Sequence, residues 1–287
     1  MYKSFRTRLW IATVTAIGCV SFLYPVFFPP LPPKVDEVEV ADSVQPVPDF
    51  NRFKSVKKKK RAFFSYLRPE VEKQNKAILN QRSFVLAIRD RIQFSDQGID
   101  ANDPDLKRLR RIAKQYNVSS TELDERFFER LLRRVDIIPV PLVLVQAANE
   151  SAWGTSRFAR LGYNFFGMWC FRKGCGFVPK RRDDDMNHEV ARYKSLPAGV
   201  KAYLNNLNRH YAYSDLRNIR EVLRKSQQPI TAELLAEGLL HYSERGQAYV
   251  DELQAMIRFN YKHMDIDKLE NNNSGSVLFD CGTEQFC

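Results

Sequence analysis

Residues 137–154 read IIPVPLVLVQAANESAWG, and this stretch predicts the central helix of the folded chain. Its first nine residues, 137–145, are hydrophobic on every face, which is typical of a buried helix. Pro141 suits the first helical turn, because its missing N–H needs no partner there. We expect the helix to end near Trp153-Gly154, where glycine can supply a C-terminal cap.

The stretch carries one carboxylate, Glu150, close to the end of the predicted helix. A carboxylate there lies against the negative pole of the helix dipole and beside apolar side chains, and both effects disfavour its charged form. A raised pKa is what a general acid needs at neutral pH. The same pattern also fits an ordinary helix-end carboxylate in a surface ion pair.

Residues 147–154 resemble the active-site motif Ala-x-x-Glu-Ser-x-Trp-Gly of bacterial β-N-acetylglucosaminidases that cut peptidoglycan. Three further landmarks of that family follow in order. Residues 163–168 are similar to its Asn-x-Phe-Gly segment, residues 192–195 to its Tyr-x-Ser, and Tyr242 with Tyr249 to its C-terminal tyrosines. An ordered set of motifs is more specific than any one of them.

The resemblance extends to the Bax-type proteins of Gram-negative bacteria, whose domain is of the mannosyl-glycoprotein endo-β-N-acetylglucosaminidase type. Those proteins carry Trp-Cys-Phe and Gly-Cys-Gly, as residues 169–171 and 174–176 do here. The resemblance covers residues 57–262. It implies a mainly α, lysozyme-like helical domain with a small β-lobe or flap, and residues 163–194, rich in aromatics and glycines, fit the flap.

Cleaving a glycosidic bond needs an acid and a second function that activates water or stabilises the oxocarbenium-like sugar. The resemblance implies that Glu150 is the acid. Glu189, four residues before Tyr193 in the flap, is the first candidate for the second function. The adjacent acids 183–185 (Asp183, Asp184 and Asp185) are alternatives, although such a run is more often a solvated turn.

The family resemblance also implies that Tyr193 orients the substrate N-acetyl group, which could itself attack and replace a protein nucleophile. A buried structural tyrosine is the other interpretation of Tyr193. We expect Asn164, Trp153 and Tyr249 to bind substrate. We expect no cofactor.

Two cysteines of the flap, Cys170 and Cys175, lie close together in sequence. With His188 as the sole nearby histidine, a tetrahedral zinc site is poorly supplied, so we predict no metal. A disulfide is the expected state if this part of the chain is periplasmic. Cys281 and Cys287 could pair likewise in the tail.

The N-terminal residues predict a membrane anchor. Residues 9–28 contain no charged residue, and about 20 apolar residues as a helix span a bilayer core. Lys3, Arg6 and Arg8 precede them, which orients the N-terminus to the cytoplasm and the rest to the periplasm. A cleaved signal peptide and a lipoprotein box at residues 16–19 are the competing interpretations.

The division that we predict is a cytoplasmic N-terminus and anchor at 1–28, a Pro-rich and acidic spacer at 29–56, a helical N-terminal region at 57–136, a glucosaminidase domain at 137–263 and a flexible tail at 264–287. In the N-terminal region we expect helices to begin at Pro69, at Asp103-Pro104 and at Ser119, whose hydroxyl would form a capping box with Glu122. Later helices are expected from Ser195, at 215–224, at 231–242 and at 247–259.

The chain has 287 residues and a formal net charge of +11, which favours an anionic partner. The basic residues are spread over the predicted helices without a nucleic-acid-binding pattern, so we expect no nucleic acid. The expected function is a membrane-anchored periplasmic hydrolase of β-1,4 N-acetylglucosaminyl bonds, with peptidoglycan glycan strands as partner and the inner membrane held by residues 9–28. A lytic transglycosylase and an inactive peptidoglycan-binding scaffold are the alternatives.

Overall fold

The structure is a computed structural model that describes residues 46–93, 100, 102–179 and 188–264. The fold is mainly helical with one small sheet, as the sequence predicts. The α-helices, in chain order, are α1 (Val56–Gln93), α2 (Pro104–Gln115), α3 (Glu125–Arg134), α4 (Val140–Glu150), α5 (Arg157–Gly162), α6 (Leu196–Arg209), α7 (Ser214–Lys225), α8 (Ala232–Ala236) and α9 (Gln247–Asn260). Short 3-10 turns lie at Phe50–Arg52, Tyr211–Tyr213, Glu237–Leu239 and Tyr261–His263.

The predicted central helix is α4, and residues 142–148 within it are all buried. It packs against α1, α8 and α9. Pro141 lies in its first turn, as expected. The helix ends at Glu150 rather than at Trp153, because Ala152, Trp153 and Gly154 have φ angles of 50°, 60° and 75° and continue as a left-handed turn.

The first helix of the N-terminal region departs from the prediction. Pro69 does not begin a helix; it lies inside α1, which runs for 38 residues. The apolar face of α1 is buried on both sides of Pro69, at Leu67 and Val71, and this packing outweighs the hydrogen bond that proline cannot make. The division between 57–136 and 137–263 stays a prediction, although α1 and α4 share one core.

The predicted start of α2 is confirmed, but that of α3 is wrong. The Asp103 side chain caps α2 by accepting from the Asp105 N–H. The helix α3 begins at Glu125, with the Asp124 carboxylate accepting from the Phe127 N–H at 2.8 Å. An aspartate is at least as good an N-cap as the Ser119 of the expected capping box, and it lies next to the apolar face that α3 buries.

The helices after the flap follow the predictions closely, with one exception. The Ser195 side chain caps α6 by accepting from the Ala198 N–H, and Gly246 precedes α9. The helix expected at 231–242 is shorter, since α8 ends at Ala236 and a 3-10 turn follows. Gly238 lies in that turn, where a Cβ would approach the Leu216 Cα to 2.2 Å.

The predicted flap is a three-stranded antiparallel sheet with the order β1-β3-β2. Its strands are β1 (Trp169–Cys170), β2 (Gly176–Phe177) and β3 (Glu189–Ala191). Trp169 pairs with Val190, and Gly176 pairs with Ala191. The predicted disulfide between Cys170 and Cys175 is confirmed, and it closes the loop between β1 and β2.

Within the described ranges, no helix has both the length and the apolar character needed to cross a membrane. The predicted anchor at 9–28, most of the spacer, the acids 183–185 and the tail cysteines lie outside those ranges.

Candidate active site

The Glu150 side chain lies at the C-terminal end of α4, partly buried. Burial raises the pKa of its carboxyl group above the ordinary value of 4.5. The Tyr249 hydroxyl donates a hydrogen bond to Oε1 at 2.8 Å and lowers the pKa in part. The charge of Glu252 raises the pKa and that of Arg245 lowers it. The raised pKa is the direction that the sequence predicts for a general acid.

The second carboxylate oxygen of Glu150, Oε2, faces Gly167. A Cβ built on Gly167 would lie 3.4 Å from Oε2, and the φ angle of this glycine is 63°. A residue with a side chain would therefore be strained there and would occupy the space beside Oε2. Gly167 therefore leaves space next to Oε2, whereas the Tyr249 hydroxyl donates to Oε1.

A chain of hydrogen bonds leads from Glu150 into the core. Gln146 Nε2 donates to the Tyr249 hydroxyl oxygen at 3.1 Å, and the Tyr203 hydroxyl donates to Gln146 Oε1. Gln146 and Tyr203 are fully buried. Gln146 lies four residues before Glu150, so both side chains are on one face of α4. Sequence reasoning missed Gln146 and Tyr203, although a glutamine within an otherwise apolar helix is a signal that could have found the first.

Two pairs of stacked aromatic rings support this chain. Tyr242 is stacked on Tyr249 with ring centroids 5.7 Å apart, and Phe166 is stacked on Tyr203 at 3.8 Å. The Tyr242 hydroxyl donates to the Phe166 carbonyl oxygen at 2.8 Å and so ties the two pairs together. Burial raises the pKa of the hydroxyl groups of Tyr242, Tyr203 and Tyr249, which keeps all three protonated as donors.

The structure places Asn164 in the turn that carries Gly167. This side chain is buried, and its Nδ2 donates to the carbonyl oxygens of Met168 at 2.8 Å and Ala191 at 2.9 Å. Its Oδ1 accepts from the Met168 N–H at 3.0 Å. Asn164 therefore fixes the turn beside Glu150 and joins it to β3; its expected contact with substrate stays a prediction.

Tyr193 follows β3 and is partly buried. Its N–H donates to the Gly162 carbonyl oxygen at 2.9 Å. Burial raises the pKa of its hydroxyl group to about 12, so the hydroxyl stays protonated at neutral pH. Burial is the main cause of the raised pKa of the nearby Tyr242 hydroxyl group, and repulsion from an ionised Tyr193 would add to it.

The ring of Trp153 faces the N-terminal helix. It makes edge contacts with Phe63 and Phe64 of α1, with centroid distances of 5.7 and 5.3 Å, and the Lys60 ammonium group lies 4.9 Å from its centroid. These contacts fix the turn after Glu150. The flap offers a more exposed aromatic surface, since Trp169 is 54% exposed and stacks on His188.

The structure gives Glu189 a position inside the flap. Its Oε1 accepts from the Gly174 N–H at 2.9 Å and its Oε2 accepts from the Gly176 N–H at 2.8 Å. The carboxylate thus holds the loop that the disulfide closes. Cys170, Cys175 and Glu189 also form a cluster of possible metal ligands, but the two sulfurs are bonded to each other and are not available as thiolates.

Comparison with known proteins gives two matches. The family model described as "Glucosaminidase: Mannosyl-glycoprotein endo-beta-N-acetylglucosaminidase" matches residues 125–262. The chain is also 35% identical to Protein bax of Escherichia coli (strain K12) over 217 residues, which cover 75% of this chain and 75% of that protein. No solved structure matches. The matched residues include Gln146, Glu150, Tyr203 and Tyr249.

Proposed function

Because this chain belongs to the Bax protein family and carries a glucosaminidase-family domain, we propose that it is an endo-β-N-acetylglucosaminidase that hydrolyses β-1,4 N-acetylglucosaminyl bonds of peptidoglycan. The observation that carries this proposal is the state of Glu150. Its carboxyl group has a raised pKa, one oxygen held by Tyr249 and the other beside the open space at Gly167.

The proposed first step is proton donation by Glu150. Its Oε2 gives a proton to the glycosidic oxygen while the bond between that oxygen and the sugar C1 breaks. The hydrogen bond from Tyr249 stabilises the carboxylate that forms, because charge-assisted hydrogen bonds are stronger than neutral ones. General acid catalysis of this kind contributes about 10²–10⁴-fold to the rate.

For the second function we favour the N-acetyl group of the substrate. Its carbonyl oxygen would bond to C1 as the leaving oxygen departs. Water would then attack C1 and give one proton to the Glu150 carboxylate, while the bond between C1 and the N-acetyl oxygen breaks and the N-acetyl group is restored. Tyr193 would orient the N-acetyl group through its neutral hydroxyl. The support is that Glu189, the first candidate from the sequence, uses both carboxylate oxygens to hold backbone N–H groups.

We further propose that residues 9–28 anchor the chain in the inner membrane and that the folded part lies in the periplasm. The charge-free run after Lys3, Arg6 and Arg8 supports the anchor. The Cys170–Cys175 disulfide supports an oxidising compartment, since such bonds are rare in the cytosol.

Digestion of purified peptidoglycan by the full-length chain tests the activity. We expect new reducing N-acetylglucosamine ends in the mass spectrum of the products, and we expect Glu150→Gln to lower their rate of release at least about a hundredfold because the acid is lost. Glu129→Gln is the matched control, as it makes the same chemical change at an exposed position of α3.

Other products would contradict the proposal in distinct ways. Anhydro-muramic ends would identify a lytic transglycosylase. Binding of insoluble peptidoglycan without any new ends, under oxidising conditions that preserve the disulfide, would identify a scaffold. An equal rate in Glu150→Gln and wild type would remove Glu150 from the mechanism.

A further inference from the structure

The Tyr249 hydroxyl group lies between two side chains, and its single proton can point to only one of them. On one side is Oε1 of Glu150 at 2.8 Å, and on the other is the amide of Gln146 at 3.1 Å. An amide accepts hydrogen bonds at its oxygen and donates them from its nitrogen. The orientation of the Gln146 amide therefore decides where the proton of Tyr249 points.

Tyr203 sets that orientation from the far side. Its hydroxyl group donates to Gln146 Oε1, and it is fully buried with a pKa raised well above the ordinary value of 10.0 by burial. It therefore keeps its proton. With Oε1 of Gln146 engaged by Tyr203, Nε2 faces Tyr249 and donates to its oxygen, so Tyr249 donates to Glu150.

We propose that Tyr203 is a positioning residue that fixes the Gln146 amide, so that the Tyr249 hydroxyl donates to Oε1 of Glu150 and the transferable proton lies on Oε2, beside Gly167. This inference deepens the proposed hydrolase function and rests on it. Oε1 cannot carry a proton toward Tyr249 while Tyr249 donates to it. The proton must then be on the oxygen that faces the open space.

Without Tyr203 the chain of hydrogen bonds can reverse. Protonated Glu150 would donate from Oε1 to Tyr249, and Tyr249 would donate to Gln146 Oε1 after the amide turns over. The reversed chain stabilises the protonated acid and directs its proton away from the substrate. Tyr203→Phe removes the hydroxyl that bonds to Gln146 and changes no group bonded to Glu150. We therefore expect it to raise the pKa of Glu150 and to slow proton donation.

The other charged and titratable groups around Glu150 are unchanged by these variants. Arg245 lies in the turn before α9, and Glu252 lies in α9 itself. Tyr213 lies in the 3-10 turn before α7, and Tyr242 lies in the segment between α8 and Gly246.

The experiment is a carbon-13 NMR titration of the Glu150 carboxyl group in the full-length chain, labelled at the glutamate carboxyl carbons. The signal that Glu150→Gln removes identifies Glu150. We expect Tyr203→Phe to shift the pKa of Glu150 upward and to lower kcat about tenfold while KM stays within about twofold, because substrate binding is unaffected. Tyr211→Phe, the same change at an 82% exposed tyrosine, is the matched control and is expected to leave both unchanged.

A second substitution separates positioning from a merely structural role. In Tyr203→Phe/Gln146→Met the acceptor needed for reversal is gone, so the pKa of Glu150 is expected to return toward the wild-type value. Gln146→Met alone should also leave it close to wild type, and this variant keeps the test available if Tyr203→Phe fails to fold. A structural role would instead give losses that accumulate with each change.

Three outcomes would overturn the inference. They are an unchanged pKa of Glu150 in Tyr203→Phe, no return of the pKa toward wild type in the double variant, and a rise of the pKa in Gln146→Met. The NMR titration does not need turnover. If the pKa moves as expected but the wild-type chain releases no sugar ends, the proposed function fails and the directed hydrogen-bond chain stands. If the chain is active and the pKa does not move, only the positioning role fails.

Discussion

Two carboxylates lie at opposite ends of α4 and have opposite surroundings. Asp136 precedes the helix by four residues and is buried among guanidinium groups: Arg224 at 2.8 Å, Arg82 at 3.5 Å and Arg220 at 4.0 Å. Glu150 ends the helix and receives its hydrogen bond from a neutral tyrosine. The helix dipole adds to the contrast, since its positive pole is near Asp136 and its negative pole near Glu150.

The pKa of Asp136 is lowered and that of Glu150 is raised. Burial alone would raise the pKa of both carboxyl groups. At Asp136 the hydrogen bonds from Arg224 and the charges of Arg220 and Arg82 outweigh burial, and the pKa falls below 3.8. At Glu150 burial wins, and the pKa stays above 4.5. Neighbouring groups, and not burial itself, therefore separate a carboxylate that stabilises the fold from one suited to proton transfer.

The largest change in the free energy of unfolding is expected from Asp136→Asn. The change leaves buried guanidinium groups without their counter-charge, which costs about 3–5 kcal/mol of unfolding free energy. Chemical denaturation at neutral pH measures it. The lowered folded-state pKa means that Asp136 stabilises the fold above about pH 3.8 and that this stability is lost as pH falls through the folded-state pKa. The gap between wild type and variant should close in that range; a gap independent of pH would contradict the assignment.

A smaller effect is expected from Glu189→Gln, which tests a third carboxylate held by backbone N–H groups. Placing an amide NH₂ against the Gly174 or Gly176 N–H removes an acceptor and costs about 1–3 kcal/mol. Faster hydrogen exchange at these two glycines would report the loss. On peptidoglycan the variant should keep far more activity than Glu150→Gln; equal inactivation with the flap intact would make Glu189 the second catalytic group.

The smallest effect is expected on the stability of Glu150→Gln, and it has the opposite sign. The folded-state pKa of Glu150 is raised, so wild type loses stability as pH rises from about 4.5 through that pKa, whereas the glutamine variant does not. The variant should have the same stability as wild type below about pH 4.5 and a higher stability at neutral pH. Denaturation curves at both pH values check this, and a less stable variant at neutral pH would show that the charge of Glu150 supports the fold.

The sequence identifies the functional carboxylate at the C-terminal end of α4 but not the structural carboxylate before its N-terminal end. Glu150 and Tyr249 are recognisable because a family motif contains each of them, and the apolar run before Glu150 predicts a buried helix. Asp136 follows basic residues and looks like a surface acid. Its partners Arg82 and Arg224 are 54 residues before it and 88 residues after it, and only the tertiary fold reveals that they meet.

Helix boundaries and the direction of hydrogen bonds also depend on tertiary contacts that the local sequence does not show. Pro69 marks a helix start by local rules, but the buried face of α1 continues through it. Tyr203 fits any buried aromatic position, and nothing near it in sequence indicates that it orients Gln146. Patterns that repeat within one element were predictable, whereas partners on separate elements required the fold.

The left-handed turn at 152–154 has a practical consequence for cutting the chain into pieces. Gly154 lies against Phe50, whose ring carbon would be 2.5 Å from a Cβ at that glycine, and Trp153 rests on Phe63 and Phe64. A fragment that begins at α3 would retain Glu150, Gln146 and Tyr249 and would lack Phe50, Phe63 and Phe64, the aromatic residues that pack against this turn. Recombinant fragments or chimaeras of this protein should therefore start before Phe50.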